Sequence, residues 1–140
     1  MSGLSDVDKA VCERALRELV QSTAGVQYAL LASPDGFEIV SASRTRTLDG
    51  ARVAAMASSI FAVGSAMASE LRLDTCRNVI VEADKGFLTL FTVPCARVPL
   101  VLWTVALEGT TLGLVLMATR ACARDLARQL DLGRSLPTNA

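Results

Sequence analysis

Between Val53 and Ser69 the chain carries no charged side chain at all. The run is built mostly of Ala, Ser, Gly, Met and Val, and Asp49 stands ahead of it as a helix cap, so it reads as one long helix ending near Leu71. A helix on the surface of an ordinary domain keeps one polar face. This one has none, which requires that it be covered twice, once by its own sheet and once by something else. A bilayer is one such cover, but an uncharged stretch of about 17 residues is marginal for a hydrocarbon core that takes roughly 20 apolar ones. Four serines and a glycine weaken that reading further. The core of a monomer is a second cover, hard to arrange in a one-sheet domain with only three helices. The third, which we prefer, is the same helix of a second copy packed across a two-fold axis. Ala57, Gly64 and Ala68 would then let the two backbones approach, with Met56, Ile60, Val63 and Met67 filling the gaps between them. Which of these residues face inward and which face the partner is not fixed by the sequence.

The flanking segments supply the sheet. Ser5 can cap a first helix in which Val7, Val11, Ala15, Leu16, Leu19 and Val20 recur at helical spacing, with Gly25 turning the chain after Ala24. Val26, Tyr28 and Leu30 then alternate with other residues, Ser33-Pro34-Asp35-Gly36 makes a turn, and Phe37, Ile39 and Val40 resume the apolar pattern, which is a hairpin. Residues 41–48 are polar, carry Arg44 and Arg46, and read as an exposed loop. After the long helix, a strand around Val79 to Val81 turns at Asp84-Lys85-Gly86 into a second hairpin strand over residues 87–93. The almost wholly apolar residues 99–106 suit a strand covered on both faces, the best candidate for the sheet centre, with Pro99 tolerated only at its start. Thr110 and Thr111 can cap a last helix over residues 112–130. The expected order is therefore α-β-β-α-β-β-β-α, an α/β (α+β) class chain with one domain over residues 1–132 and a flexible C-terminal tail over 133–140. The strand at Val79 and Val81 alternates enough to lie at a sheet edge, where its symmetry mate could pair with it and join two sheets into one.

Composition narrows the function. Hydrophobic residues make up 51% of the 140, and mean hydropathy is +0.41, apolar for a chain that must be solvated on all sides. Fourteen basic residues balance fourteen acidic ones, which leaves no excess of cations to release counterions from a nucleic acid backbone. No nucleic acid partner is expected. The residues from Met1 to Lys9 contain acids and no basic segment leading into an apolar one, so a cytoplasmic location is expected by default. The chain has no histidine, and Cys12, Cys76, Cys95 and Cys122 lie too far apart for paired metal-ligand spacing, so they read as buried, reduced thiols.

The order of elements and several local signatures resemble the roadblock (dynein light chain) family, above all its bacterial GTPase-associated members. The likeness runs from about Leu16 to Leu130. It is carried by Leu19-Val20 leading through Gly25-Val26 into the first strand, Ser33-Pro34-Asp35-Gly36-Phe37 with Ile39, and the Ala- and Ser-rich Ala54-Ala55-Met56-Ala57-Ser58. Val81-Glu82 through Gly86-Phe87-Leu88 and Leu112-Gly113-Leu114-Val115 complete it. Thr111 departs from it, standing where many relatives place Asn. The resemblance implies a profilin-like roadblock fold: a five-stranded antiparallel sheet with helices on both faces, the first and last on one and the middle helix on the other. It also implies dimers through the middle helix and third strand, and docking of small Ras-like GTPases or their regulators on the middle-helix side.

Catalytic machinery is not expected. Asp35, Asp74 and Asp84 fall at turns, where Asp satisfies neighbouring backbone amides, and no glycine-rich phosphate loop is present. No cofactor and no metal are expected. Arg44 and Arg46 could place an arginine finger against a partner's phosphate, or be a solvated loop. Arg120, Arg124 and Arg128 form a basic stripe on the last helix, either a solvated face or a seat for an acidic partner. The functional expectation is thus a non-enzymatic homodimeric scaffold or regulator binding a small Ras-like GTPase. Met56, Ala57, Ile60, Val63, Gly64, Met67, Val79 and Val81 are its interface residues, and an aspartate at Ile60 or Val63 is expected to part the protomers. The alternative is a small-ligand sensor of profilin or PAS-like type, in which sheet and helix enclose a pocket.

Overall fold

Ser5 opens the first helix with a capping box: its hydroxyl accepts from the Asp8 amide while the Asp8 carboxylate accepts from the Ser5 amide. In the computed structural model, which describes residues 3–44, 49–95 and 98–135, this helix is α1 (Asp6–Ser22). The elements that follow are β1 (Val26–Ala32), β2 (Glu38–Ser43), α2 (Gly50–Glu70), β3 (Asn78–Ala83), β4 (Gly86–Val93), β5 (Leu100–Leu107) and α3 (Leu112–Ser135). All five strands form one antiparallel sheet in the order β2-β1-β5-β4-β3. The apolar β5 lies at its centre, as its composition requires, and β3 lies at an edge.

Alternation along the strands sorts the apolar side chains into two layers. On one face, Val26, Ala29 and Leu31 of β1 and Leu100, Leu102 and Ala106 of β5 pack under α1 and α3, which contribute Cys12, Leu16, Val115 and Leu126. On the other, Tyr28, Leu30, Leu90, Val101 and Trp103 pack under α2, which contributes Ala54 and Ala57. Two threonines interrupt the first layer. Thr89 and Thr104 stand opposite each other in the β4–β5 ladder and satisfy one another at 2.6 Å.

Three boundaries differ from the sequence reading. β2 continues through Ser41, Ala42 and Ser43, which the reading placed in the exposed loop, because the β1 ladder continues to pair there, Leu30 with Ser41 and Tyr28 with Ser43. An edge strand tolerates serines where a central one would not. The remainder of that loop, residues 45–48 with Arg46, lies outside the described residues. α1 ends at Ser22 rather than near Ala24, and Thr23 caps it by donating to the Leu19 carbonyl. α3 continues past Leu130 and Gly133 to Ser135, so the first residues assigned to the tail are helical backbone, and residues 136–140 lie outside the described set.

The α1–α3 contact makes stability depend on alkaline pH. Burial, reinforced by the negative charges of Asp125, Cys12 and Glu18, pushes the Cys122 thiol from its ordinary 9.0 up to about 12. The unfolded chain releases that proton near its ordinary value while the folded chain retains it. The contribution is therefore fully present below pH 9 and is lost as pH rises towards 12. Urea unfolding midpoints should fall across this window, and in Cys122→Ala the fall should be shallower. Equal slopes in the two proteins would remove Cys122 as the cause.

Candidate functional site: the outer face of α2 and the β3 edge

Alanine-rich sequence favours the helix, and the Asp49 carboxylate starts α2 by accepting from the Arg52 amide at 3.2 Å. Its end is a paired terminal motif: Leu73 donates to the Ala68 carbonyl at 2.8 Å and Arg72 to that of Ser69 at 3.1 Å. The position after the cap, usually glycine, is here Arg72, held at φ 59°. Near the other end, Ser58 donates to the Pro34 carbonyl at 2.5 Å, tying the helix to the β1–β2 turn.

The residues assigned to the seam divide between the two sides of this helix. Ala57 is buried in the layer under α2, and Ile60 packs against the same layer together with Val53 and Phe61. Gly64 also faces the sheet, since a Cβ there would sit 3.0 Å from Cγ2 of Val79 and 3.4 Å from Sγ of Cys76. Gly64 thus seats α2 against β3, and Ala57 against the buried layer beneath the helix. Met56, Val63 and Met67 point away, at 57%, 59% and 58% exposure. Spacings of seven and four residues, two turns and one, align them as one stripe on the outer face. Leu71 and Leu73 continue it past the helix end, both exposed.

Beside that stripe runs an unfinished sheet edge. Among the described residues β3 pairs with β4 alone, from Asn78↔Phe91 to Ala83↔Gly86. Its register puts Val79 and Val81 on the α2 side, opposite Leu90 and Leu88, and Ile80 on the other. Val79 is half-covered by α2, whereas Ile80 and Val81 remain 39% and 37% exposed. Apolar helix face and open β ladder are therefore contiguous, the combination that invites another chain.

Arg44 is not a free arginine finger. Its guanidinium donates to the Val20 carbonyl, and its Nε to that of Val26 at 3.3 Å. Carbonyls in the last turn of a helix lack intrahelical donors, and Arg44 supplies one at the end of α1.

The Roadblock/LC7 domain matches residues 14–98. The chain belongs to that family. A comparison with curated proteins found no match. Among solved structures, an MglB with tetrameric arrangement is similar over 91% of this chain and 93% of its own, at 22% identity and a TM-score of 0.79. The gliding protein MglB of Thermus thermophilus gives the same coverage of 91% and 93%, at 21% identity and a TM-score of 0.79. A Roadblock/LC7 domain from Streptomyces avermitilis is similar over 84% of this chain and 96% of its own, at 19% identity and a TM-score of 0.75. At these identities the likeness is one of fold, and it covers both helical layers and the sheet of this roadblock chain.

Proposed function

We propose that this roadblock chain is a non-enzymatic, homodimeric scaffold or regulator of a small Ras-like GTPase, joined through the outer face of α2 and the edge of β3. The observation that carries the reading is the outward stripe of Met56, Val63 and Met67 alongside a strand whose outer edge is unpaired among the described residues. Apolar surface of this kind is stabilised by removal from water at about 25 cal/mol per Å². A two-fold axis lets one stripe cover its own copy. Association between copies also has a parallel in the MglB of the same fold described in a tetrameric arrangement. α2 is long and apolar enough to cross a bilayer. Its inner half, however, is occupied in covering Leu30, Leu90 and Trp103, and a second copy covers the outer half without exposing that core.

The GTPase follows from the family resemblance, and a cytoplasmic location goes with such a partner. A regulator of this kind works by biasing the switch loops of the GTPase and needs no residue of its own at the nucleotide. The test combines two measurements. Sedimentation equilibrium at micromolar loading should return twice the protomer mass of 14.8 kDa. Calorimetric titration with Ras-like GTPases encoded in the same genome, loaded with a non-hydrolysable GTP analogue, should give saturable binding to at least one. A protomer mass in every buffer defeats the dimer, and silence across all the GTPases defeats the regulator.

A further inference from the structure

On the sheet face opposite α2, the basic stripe of α3 gains a second wall. Arg120 and Arg124 line a cleft of about 490 Å³ together with Arg77, which precedes β3, and with Asn78, Phe91 and Thr92. Among the described residues none of these three guanidinium groups has a carboxylate at ion-pair distance, whereas Arg128, one turn on, pairs with Asp125. A solvated helix face explains Arg120 and Arg124 alone. It does not explain a third cation brought to the same cleft from a distant part of the sequence, since like charges gathered together repel. The cleft also has a fixed floor: the Arg120 guanidinium lies 5.6 Å from the ring centroid of Phe91, itself buried.

The spacing of the cations identifies the anion. A compact phosphate is held by backbone amides at a helix N-terminus or in a glycine-rich turn. This cleft has neither: no glycine lines it, and α3 begins at Leu112, about 12 Å along the axis before Arg120. Recognition rests instead on separate planar forks, which take carboxylate or phosphate, and their separation along α3 favours several small anions in a row over one compact anion. Arginines four residues apart on a helix are about 6 Å apart along its axis. Alternate residues of an extended strand are about 6.7 Å apart and point the same way. We propose that the cleft binds an extended acidic segment of a partner protein, with carboxylates at alternate positions on Arg120 and Arg124 and a further one on Arg77 from the opposite wall.

The probe is a short fluorescein-labelled peptide with glutamate at alternate positions and valine between, with the glutamine version as its control, read by anisotropy against the full chain. The glutamate peptide should bind, and the glutamine peptide at least about tenfold more weakly. Arg120→Gln combined with Arg124→Gln should weaken binding by about tenfold or more, and Arg77→Gln, altering the other wall, should weaken it as well. Arg14→Gln, an exposed position on α1, should leave it unchanged. Sedimentation mass should stay that of the unaltered protein in every variant, which separates this cleft from the α2 face. Undiminished binding by the double variant and by Arg77→Gln overturns the proposal. So do equal binding of the glutamine peptide, displacement by inorganic phosphate at about 1 mM, and absence of binding to the unaltered chain at about 1 mM.

Discussion

Val63→Asp should convert the proposed dimer to a folded protomer. Val63 stands at the middle of the outer stripe, between Met56 and Met67, and is 59% exposed. In the isolated chain an aspartate there is solvated and costs little. Across a two-fold axis it faces apolar side chains and its own copy, so association would bury two like charges without partners. Leaving a charge buried and unpaired costs about 3 kcal/mol or more, which weakens association by about a hundredfold. Sedimentation mass should fall to 14.8 kDa at micromolar loading while the helical circular dichroism and the urea midpoint of the protomer persist. Ile60→Asp should behave differently, although the sequence groups Ile60 with Val63. Ile60 packs on the layer beneath α2, so its aspartate attacks the fold itself and lowers the urea midpoint. A Val63→Asp protein that keeps its dimer mass would move the seam off this face.

This contrast shows where the sequence is legible and where it is silent. The charge-free run and Asp49 locate α2 to within a residue at either end, because capping and the absence of charge are local signals. Its orientation is not local. A helix without a polar face offers no contrast by which to orient it, so Ala57, Ile60 and Gly64 read as equivalent to Met56, Val63 and Met67. Only the sheet breaks the tie, by placing Val79 where a side chain at Gly64 would crowd it. The order of elements along the chain was legible from turns and alternation, and the central place of β5 from its unbroken apolar run. The polar residues Ser41 and Ser43 concealed the end of β2, because an edge strand need not alternate in the way a half-buried one does. Arg44 likewise read as a free loop cation, because the carbonyl it satisfies belongs to a helix more than twenty residues earlier. The basic cleft was half legible: periodicity gives Arg120 and Arg124, and only the packing of α3 on β4, the partner of β3, adds Arg77.

Trp103→Ala should remove a large part of the stability of the fold, and more than its area alone suggests. Trp103 is the single tryptophan of the chain, buried on the central strand directly beneath α2. The fully buried side chains that the helix brings to that layer are small, Ala54 and Ala57, with Val53, Ile60 and Phe61 only partly buried against it, so the buried bulk comes mainly from the sheet. Tyr28 and Trp103 supply it together, their rings edge to face at 5.4 Å and 87°. Truncation to alanine empties the space between strand and helix, and neither alanine can reach across to fill it. Loss of a buried tryptophan costs about 3–5 kcal/mol, a large fraction of the roughly 5–15 kcal/mol that holds a domain of this size. Tyr28 loses its ring partner as well, worth about 0.5–1.5 kcal/mol beyond area. Because the only tryptophan is removed, urea unfolding has to be followed by circular dichroism. Trp103→Phe should recover most of the loss by restoring an aromatic ring over β1. Val7→Ala, exposed on α1, should shift stability by no more than about 0.5 kcal/mol. The association of copies should weaken in Trp103→Ala too, since the outer stripe keeps its geometry only while the inner face of α2 is seated. A cost below about 1 kcal/mol would mean that α2 closes the gap by settling onto the sheet, and the α2 layer would then be far more compliant than its packing implies.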